Sequence, residues 1–246
     1  MFYLSLLLAT GFAFQTAPTQ TVGVTEQPAR PAISPQERGD IYMARKMYRE
    51  AVDSYKQVPA SAVMLNKIGI AYHQMTDLDS ARKYYERAIK TDPQYAEAIN
   101  NLGTIFYARK SYRRAIAEYK KALRITPESA SAWANLGSAY FARKNFETAS
   151  EAYQHALSLD PEVFERHSTT GSTVQERSIG DRAKFHYYLA RTYAKAGRNA
   201  DAIMYIRKAL EEGFKEREKF TQEPEFAGLR DDPEFKQLMA TEPRVL

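Results

Sequence analysis

From residue 62 to residue 163 the apolar positions recur by three and four, the spacing that gathers one side of a helix into a buried stripe. The pattern also repeats as a whole. Gly69, Gly103 and Gly137 lie 34 residues apart, as do Ala81, Ala115 and Ala149, then Ala88, Ala122 and Ala156, then Pro93, Pro127 and Pro161. Tyr72, Phe106 and Tyr140 keep the same step, and so do Tyr85, Tyr119 and Tyr153. Three blocks result, 62–95, 96–129 and 130–163, whose first halves contain LNKIGIAY, INNLGTIFY and WANLGSAY. Each block predicts a pair of helices. The glycine lets the first helix approach the second, the two alanines remove bulk where the second crosses its neighbours, and the aromatic rings fill the space between. The proline cannot extend the second helix, so it sets the turn into the next block.

Two weaker blocks flank these three. Gly39, Tyr42, Ala51, Tyr55 and Val58 carry the pattern upstream; Gly39 stands only 30 residues before Gly69, so this second helix is expected to be short and to end at Pro59. Downstream the pattern returns as Leu189, Ala190, Tyr193, Ala202, Ile206 and Ala209. Ala190 lies 53 residues past Gly137, so 19 extra residues intervene. The expected layout is therefore four repeats over 35–161, a polar insertion over 162–182, a fifth repeat over 183–214 and a capping segment over 215–246. The insertion reads either as a short hairpin, turning at Thr170-Gly171, or as an irregular surface loop. In the last segment Pro224 and Pro233 start helical turns, Asp232 is a natural N-cap, and Phe226, Leu229, Phe235, Leu238 and Met239 form a thin apolar stripe. A solenoid needs such a stripe to cover its last bare face.

The repeated unit resembles the tetratricopeptide repeat, and in the block 130–163 even the signature tryptophan is present, as Trp133, followed by Leu136, Gly137, Tyr140, Ala149, Tyr153, Ala156 and Pro161. The resemblance implies an all-α fold, a right-handed α-solenoid of about five helix pairs with a C-terminal helical cap. It also implies a concave groove lined by the first helix of each pair. On this chain the implied lining is Asn66, Ile70, His73 and Gln74, then Asn100, Asn101, Thr104 and Tyr107, then Ser131, Asn135, Ser138 and Phe141, then Lys184, Tyr187, Arg191 and Lys195. Asn101 and Asn135 occupy the same place in consecutive repeats, which is similar to the asparagine ladder in the repeat domain of the O-GlcNAc-transferase family, where such residues hold an extended peptide. Lys67 and Tyr188 interrupt that row. The basic members of the carboxylate clamp found in chaperone-binding relatives are missing, so capture of an acidic C-terminal motif is not expected.

The turns within the pairs carry a second feature. Arg45-Lys46, Arg109-Lys110 and Arg143-Lys144 recur after an alanine, and Lys195 and Arg198 continue the row. Stacking would set them along one edge as a basic rim, suited either to turn solubility or to an acidic partner or an anionic lipid surface.

Composition changes this picture little. The chain has 246 residues, 44% apolar and 26% charged, which excludes a low-complexity or wholly disordered chain. Cysteine is absent, which excludes disulfides, thiolate metal sites and cysteine nucleophiles. The net charge of +5 permits acidic protein or anionic lipid partners without demanding them, and nucleic acid is not an expected partner. The four histidines show no metal-ligand spacing, and neither a phosphate-binding loop nor a nucleophile elbow occurs, so no cofactor, metal or enzymatic activity is expected. His167, Ser168 and Arg177 of the insertion are the one cluster in which hidden chemistry would sit. The opening MFYLSLLLATGFAF is uncharged and shorter than the ~20 residues that span a bilayer; it reads as a signal peptide over 1–17, with a flexible leader over 18–34. The expected role is a non-enzymatic scaffold in the bacterial envelope that binds a partner peptide or helix in the concave groove; the alternative is docking to an anionic lipid or polymer through the basic rim.

Overall fold

In the computed structural model, residues 33–164 and 179–240 are described, with only the backbone of 179–181. The expected signal peptide, most of the leader and the core of the insertion, with its proposed hairpin and His167, Ser168 and Arg177, lie outside the described residues.

Ten helices form five antiparallel pairs: α1 (Pro35–Ala44) with α2 (Tyr48–Tyr55), α3 (Ala62–Gln74) with α4 (Leu78–Thr91), α5 (Ala96–Ala108) with α6 (Tyr112–Ile125), α7 (Ala130–Ala142) with α8 (Phe146–Leu159), and α9 (Ile179–Lys195) with α10 (Asn199–Glu211). Each second helix also packs on the first helix of the next pair. Among the described residues there is no strand. The helices start where short polar side chains take up free backbone N–H groups. Ser34 and Glu37 close a capping box at α1, while Ser61, Asp77 and Ser129 accept from the backbone N–H of Met64, Ser80 and Ala132.

In four of the five pairs a tyrosine ring is laid directly on a glycine. A methyl group built on Gly39, Gly69, Gly103 or Gly137 would fall 2.4–2.6 Å from the nearest ring carbon of Tyr55, Tyr85, Tyr119 or Tyr153. All four tyrosines are at most 1% exposed. The fifth pair has changed both partners, with Ala190 at the glycine place and Ile206 at the tyrosine place, both fully buried. A larger first-helix residue thus coincides with a smaller second-helix one. The repeated alanines Ala81, Ala115, Ala149 and Ala202 are also fully buried, where a larger side chain would push the helices apart.

Every turn between paired helices closes in the same way. After α5, the N–H of Lys110 bonds to the carbonyl of Tyr107 and that of Ser111 to Phe106, the two bonds of a Schellman motif. This geometry requires a left-handed residue, and the chain places Lys46, Thr76, Lys110, Lys144 and Gly197 there, with φ of 56–72°. Four of the five are not glycine, so their turns carry strain that the surrounding bonds hold in place.

Beyond α10 the chain folds back over the last pair as α11 (Lys219–Gln222), a 3-10 turn (Pro224–Leu229) and α12 (Pro233–Ala240). Asp232 caps α12 through the N–H groups of Glu234 and Phe235. Phe220, Phe226, Leu229 and Phe235 are buried in one cluster with residues of α9 and α10, and Leu238 and Met239 pack against it. Tyr187 of α9 stacks on Phe214 with centroids 4.6 Å apart.

The glycine–tyrosine contact makes a quantitative prediction. Gly103→Ala is expected to destabilise by about 1–3 kcal/mol through overpacking. Combining it with Tyr119→Ile, which copies the fifth pair, should cost less than the sum of the two single changes, as a double-mutant cycle of thermal or urea unfolding will measure.

Candidate protein-binding site

The first helices bring the sequence-predicted residues onto consecutive elements: Asn66, Ile70 and His73 on α3, Asn100, Asn101, Thr104 and Tyr107 on α5, Asn135, Ser138 and Phe141 on α7, and Lys184, Tyr187 and Arg191 on α9. They separate into two groups by exposure. Ile70, His73, Tyr107, Ser138, Lys184 and Arg191 are half-buried, whereas Asn66, Asn100, Asn101, Thr104, Asn135, Phe141 and Tyr187 are buried.

The buried asparagines join neighbouring first helices. Asn101 Nδ2 donates to Asn66 Oδ1 at 3.0 Å, and Asn135 Nδ2 donates to Asn100 Oδ1 at 3.1 Å. Asn66 Nδ2 in turn donates to Glu97 Oε1 at 2.9 Å, and the Tyr95 hydroxyl donates to Glu97 Oε2 at the same distance. Burial, followed by the adjacent Glu97 charge, pushes the Tyr95 hydroxyl up to about 12, so it stays protonated and donating. Thr104 is turned inward as well, its hydroxyl donating to the carbonyl of Asn101 at 2.7 Å. At the N-terminal end a charged version of the seam replaces the amides: Lys67 Nζ meets Asp40 at 2.6 Å, and the Tyr55 hydroxyl donates to the same carboxylate at 2.6 Å. The amide N–H groups expected to face a peptide are therefore directed between helices. The spacing held the signal: Asn66 and Asn101, like Asn100 and Asn135, stand 35 residues apart, one more than the repeat, which pairs the fifth place of one unit with the sixth of the next.

What remains accessible is a row of half-buried side chains. Ile70 and His73 present an apolar edge and an imidazole that burial holds below the ordinary histidine range. Tyr107 follows on α5, its ring 5.4 Å from that of Tyr112. Ser138 follows on α7, where its hydroxyl also receives the Tyr153 O–H at 3.4 Å.

The row meets the folded-back segment at α9. The Tyr187 hydroxyl donates to Glu223 Oε1 at 2.5 Å. Arg191 donates through Nε to Glu225 Oε1 at 2.9 Å and through both terminal nitrogens to the Glu147 carboxylate at 3.1 Å. Lys184 Nζ lies 4.1 Å from the centre of the Phe146 ring. The basic end of the row is thus met by two carboxylates of the chain's own C-terminal segment, a contact the sequence pattern did not single out. Burial opposes the Glu225 carboxylate, but its own backbone N–H and the Arg191 guanidinium outweigh that and hold it below the ordinary glutamate range.

The basic edge is uneven. Arg45, Lys46, Lys110, Arg143, Lys144 and Lys195 are exposed. Arg109, although exposed, is paired with Asp79 at 2.5 Å, and Arg198 is paired with Asp201 at 2.7 Å while it also donates to the Pro161 carbonyl. Among the described residues no group of His, Asp and Glu is arranged to hold a metal ion, and no helix is long and apolar enough to cross a membrane.

Two outcomes follow from this geometry. Asn135→Ala strands the Asn100 carbonyl and should lower stability by about 1–3 kcal/mol, whereas Asn100→Leu with Asn135→Leu together should lose less than that, as urea unfolding will measure. Because the Glu225 carboxylate is held low in the folded state, its stabilisation is complete above the ordinary glutamate range and is lost as pH falls through and below it. Hydrogen exchange should accordingly rise first in residues 214–240 on acidification, and Glu225→Gln should flatten that dependence.

Family models of the tetratricopeptide repeat match residues 32–94, 103–142, 130–163 and 183–212. Among solved structures, the chain is similar to MamA residues 41 to the end from Desulfovibrio magneticus RS-1, with 22% identity, 72% of this chain and 92% of that one covered, and a TM-score of 0.50. A further MamA crystal structure shares 23% identity over 71% of this chain and 93% of that one, with a TM-score of 0.48. YrrB, described as a TPR protein with an unusual peptide-binding site, shares 21% identity over 55% of this chain and 70% of that one, with a TM-score of 0.46. No curated protein matches the sequence. Five stacked helix pairs, four of them closed by a glycine–tyrosine contact, read together with the family matches along their length, establish that the chain belongs to the tetratricopeptide-repeat family of protein-interaction scaffolds.

Proposed function

We propose that the chain binds an extended segment of a partner protein along the accessible row on α3, α5 and α7, and that it does so in the bacterial envelope. The observation that carries the reading is the combination of a half-buried row (Ile70, His73, Tyr107 and Ser138) with a hydrogen-bonded seam behind it (Asn66–Asn101 and Asn100–Asn135). The seam fixes the spacing between first helices, so the surface is organised before a partner arrives and little ordering entropy is lost on binding. Packed helices stand about 8–10 Å apart. An extended chain advances about 3.3 Å per residue, so roughly every third side chain meets a new helix. The row offers one apolar residue, one neutral imidazole, one tyrosine and one hydroxyl, a lining suited to a segment of low charge. Binding stops short of α9, where Glu223 and Glu225 already engage Tyr187 and Arg191. The envelope location rests on the uncharged apolar opening of the sequence.

A photoreactive residue at Tyr107 or at Ser138 should crosslink the same partner in intact cells, while one at Lys90, exposed on the second helix α4, should not. The adduct should carry a chain that begins after Ala13 or Ala17. Equal labelling from Lys90, or no adduct from either first-helix position, would remove the groove reading; an intact N-terminus would remove export.

A further inference from the structure

On the side of the array formed by the second helices, α6 and α8 part to leave a cleft of about 490 Å³ with α7 as its floor. One wall is aromatic: Trp133 stacks on His155 with ring centres 4.6 Å apart, and Tyr140 lies beyond. The Trp133 Nε1–H is already bonded to the Pro127 carbonyl at 2.8 Å, which fixes the indole in place. The opposite wall is cationic, formed by Lys120 and Arg124 of α6. Both are exposed, and neither makes an ion pair among the described residues. Their row continues outside the cleft. Arg113, Lys120 and Arg124 share one face of α6 by their spacing, a stripe about 16 Å long at the rise of an α-helix. Between residues 109 and 124 the chain carries Arg109, Lys110, Arg113, Arg114, Lys120, Lys121 and Arg124 against the single acid Glu118.

We propose that this cleft is a second docking site, for an acidic peptide segment of a partner protein that seats an aromatic or aliphatic anchor side chain between Trp133 and Leu136 and sets its carboxylates on Lys120 and Arg124. The volume and aromatic lining suit an apolar side chain; Lys120, whose Nζ lies 5.7 Å from the centre of the Tyr140 ring, and Arg124 make no ion pair among the described residues and suit flanking carboxylates. A flat anionic membrane does not reach into a recess, and Glu151 on the α8 wall would oppose it. The same carboxylate would face the phosphates of a nucleic acid strand, whereas it can accept an N–H from a peptide backbone. The site lies on a different side of the helices from the first-helix row and does not rest on that reading.

Trp133 is the only tryptophan of the chain, so its emission reports this cleft directly. The full chain is titrated with a short tryptophan-free peptide in which Asp and Glu flank a Leu-Phe pair. A saturable change in emission is expected, weakened at least about tenfold by Lys120→Glu with Arg124→Glu and weakened by added salt. Both substitutions are at exposed positions, and circular dichroism should show unchanged helicity. Tyr107→Arg should leave the titration unchanged, which separates this site from the first-helix row. The proposal is overturned if emission does not respond, if a matched basic or neutral peptide binds as well, or if only single-stranded oligonucleotide or anionic vesicles produce the change.

Discussion

Everything in this array depends on how closely the two helices of a pair can lie. A tyrosine ring resting on bare glycine backbone sets that distance in four of the five pairs, and there is no room for even one added methyl group. The interaction is attractive because the ring is buried and close-packed, and it is restrictive because the glycine has nothing to move aside. In the fifth pair Ala190 and Ile206 stand at the same two places, both fully buried, with the bulk redistributed between them. Constant separation within each pair lets the next pair stack in the same way, and a repeated surface follows from it.

A second constraint acts between pairs. The buried Asn66–Asn101 and Asn100–Asn135 bonds cross from one first helix to the next, where an unpaired amide would be costly. They select one register over the neighbouring ones, because sliding a helix would leave both partners without a bond. The seam and the exposed row are therefore two sides of the same helices: one side holds the spacing, the other presents it. The C-terminal segment closes the array by matching its own chemistry, with phenylalanines against the apolar face of α9 and α10 and Glu223 and Glu225 against Tyr187 and Arg191.

The pairing of helices was legible because each first helix repeats a small residue and each second helix answers with a ring at a fixed offset, and local periodicity carries that information. The end cap was legible for a similar reason: Pro224, Asp232 and Pro233 mark helix starts, and the apolar stripe from Phe226 to Met239 needed a surface to cover. The roles of the asparagines were not. Residues in one column of a repeat look alike whether they face a ligand or a neighbouring helix, and Asn101 and Asn135 proved to be bonded to the column beside their own. Arg191 lies on α9, and its carboxylate partners are Glu147 and Glu225, 44 and 34 residues away; the second separation equals the repeat step, but Glu225 lies beyond the last repeat, in the folded-back segment.

By itself, the order of amino acids determined the number of helix pairs, the places of their turns and the residues that must be buried, since each of these follows from contacts a few residues or one repeat apart. Only the tertiary structure decided which polar side chains face outward, that the C-terminal carboxylates meet α9, and that Trp133, His155, Lys120 and Arg124 share one cleft. Those outcomes depend on the angle at which successive pairs stack, and that angle is a property of the packed helices together rather than of any one segment.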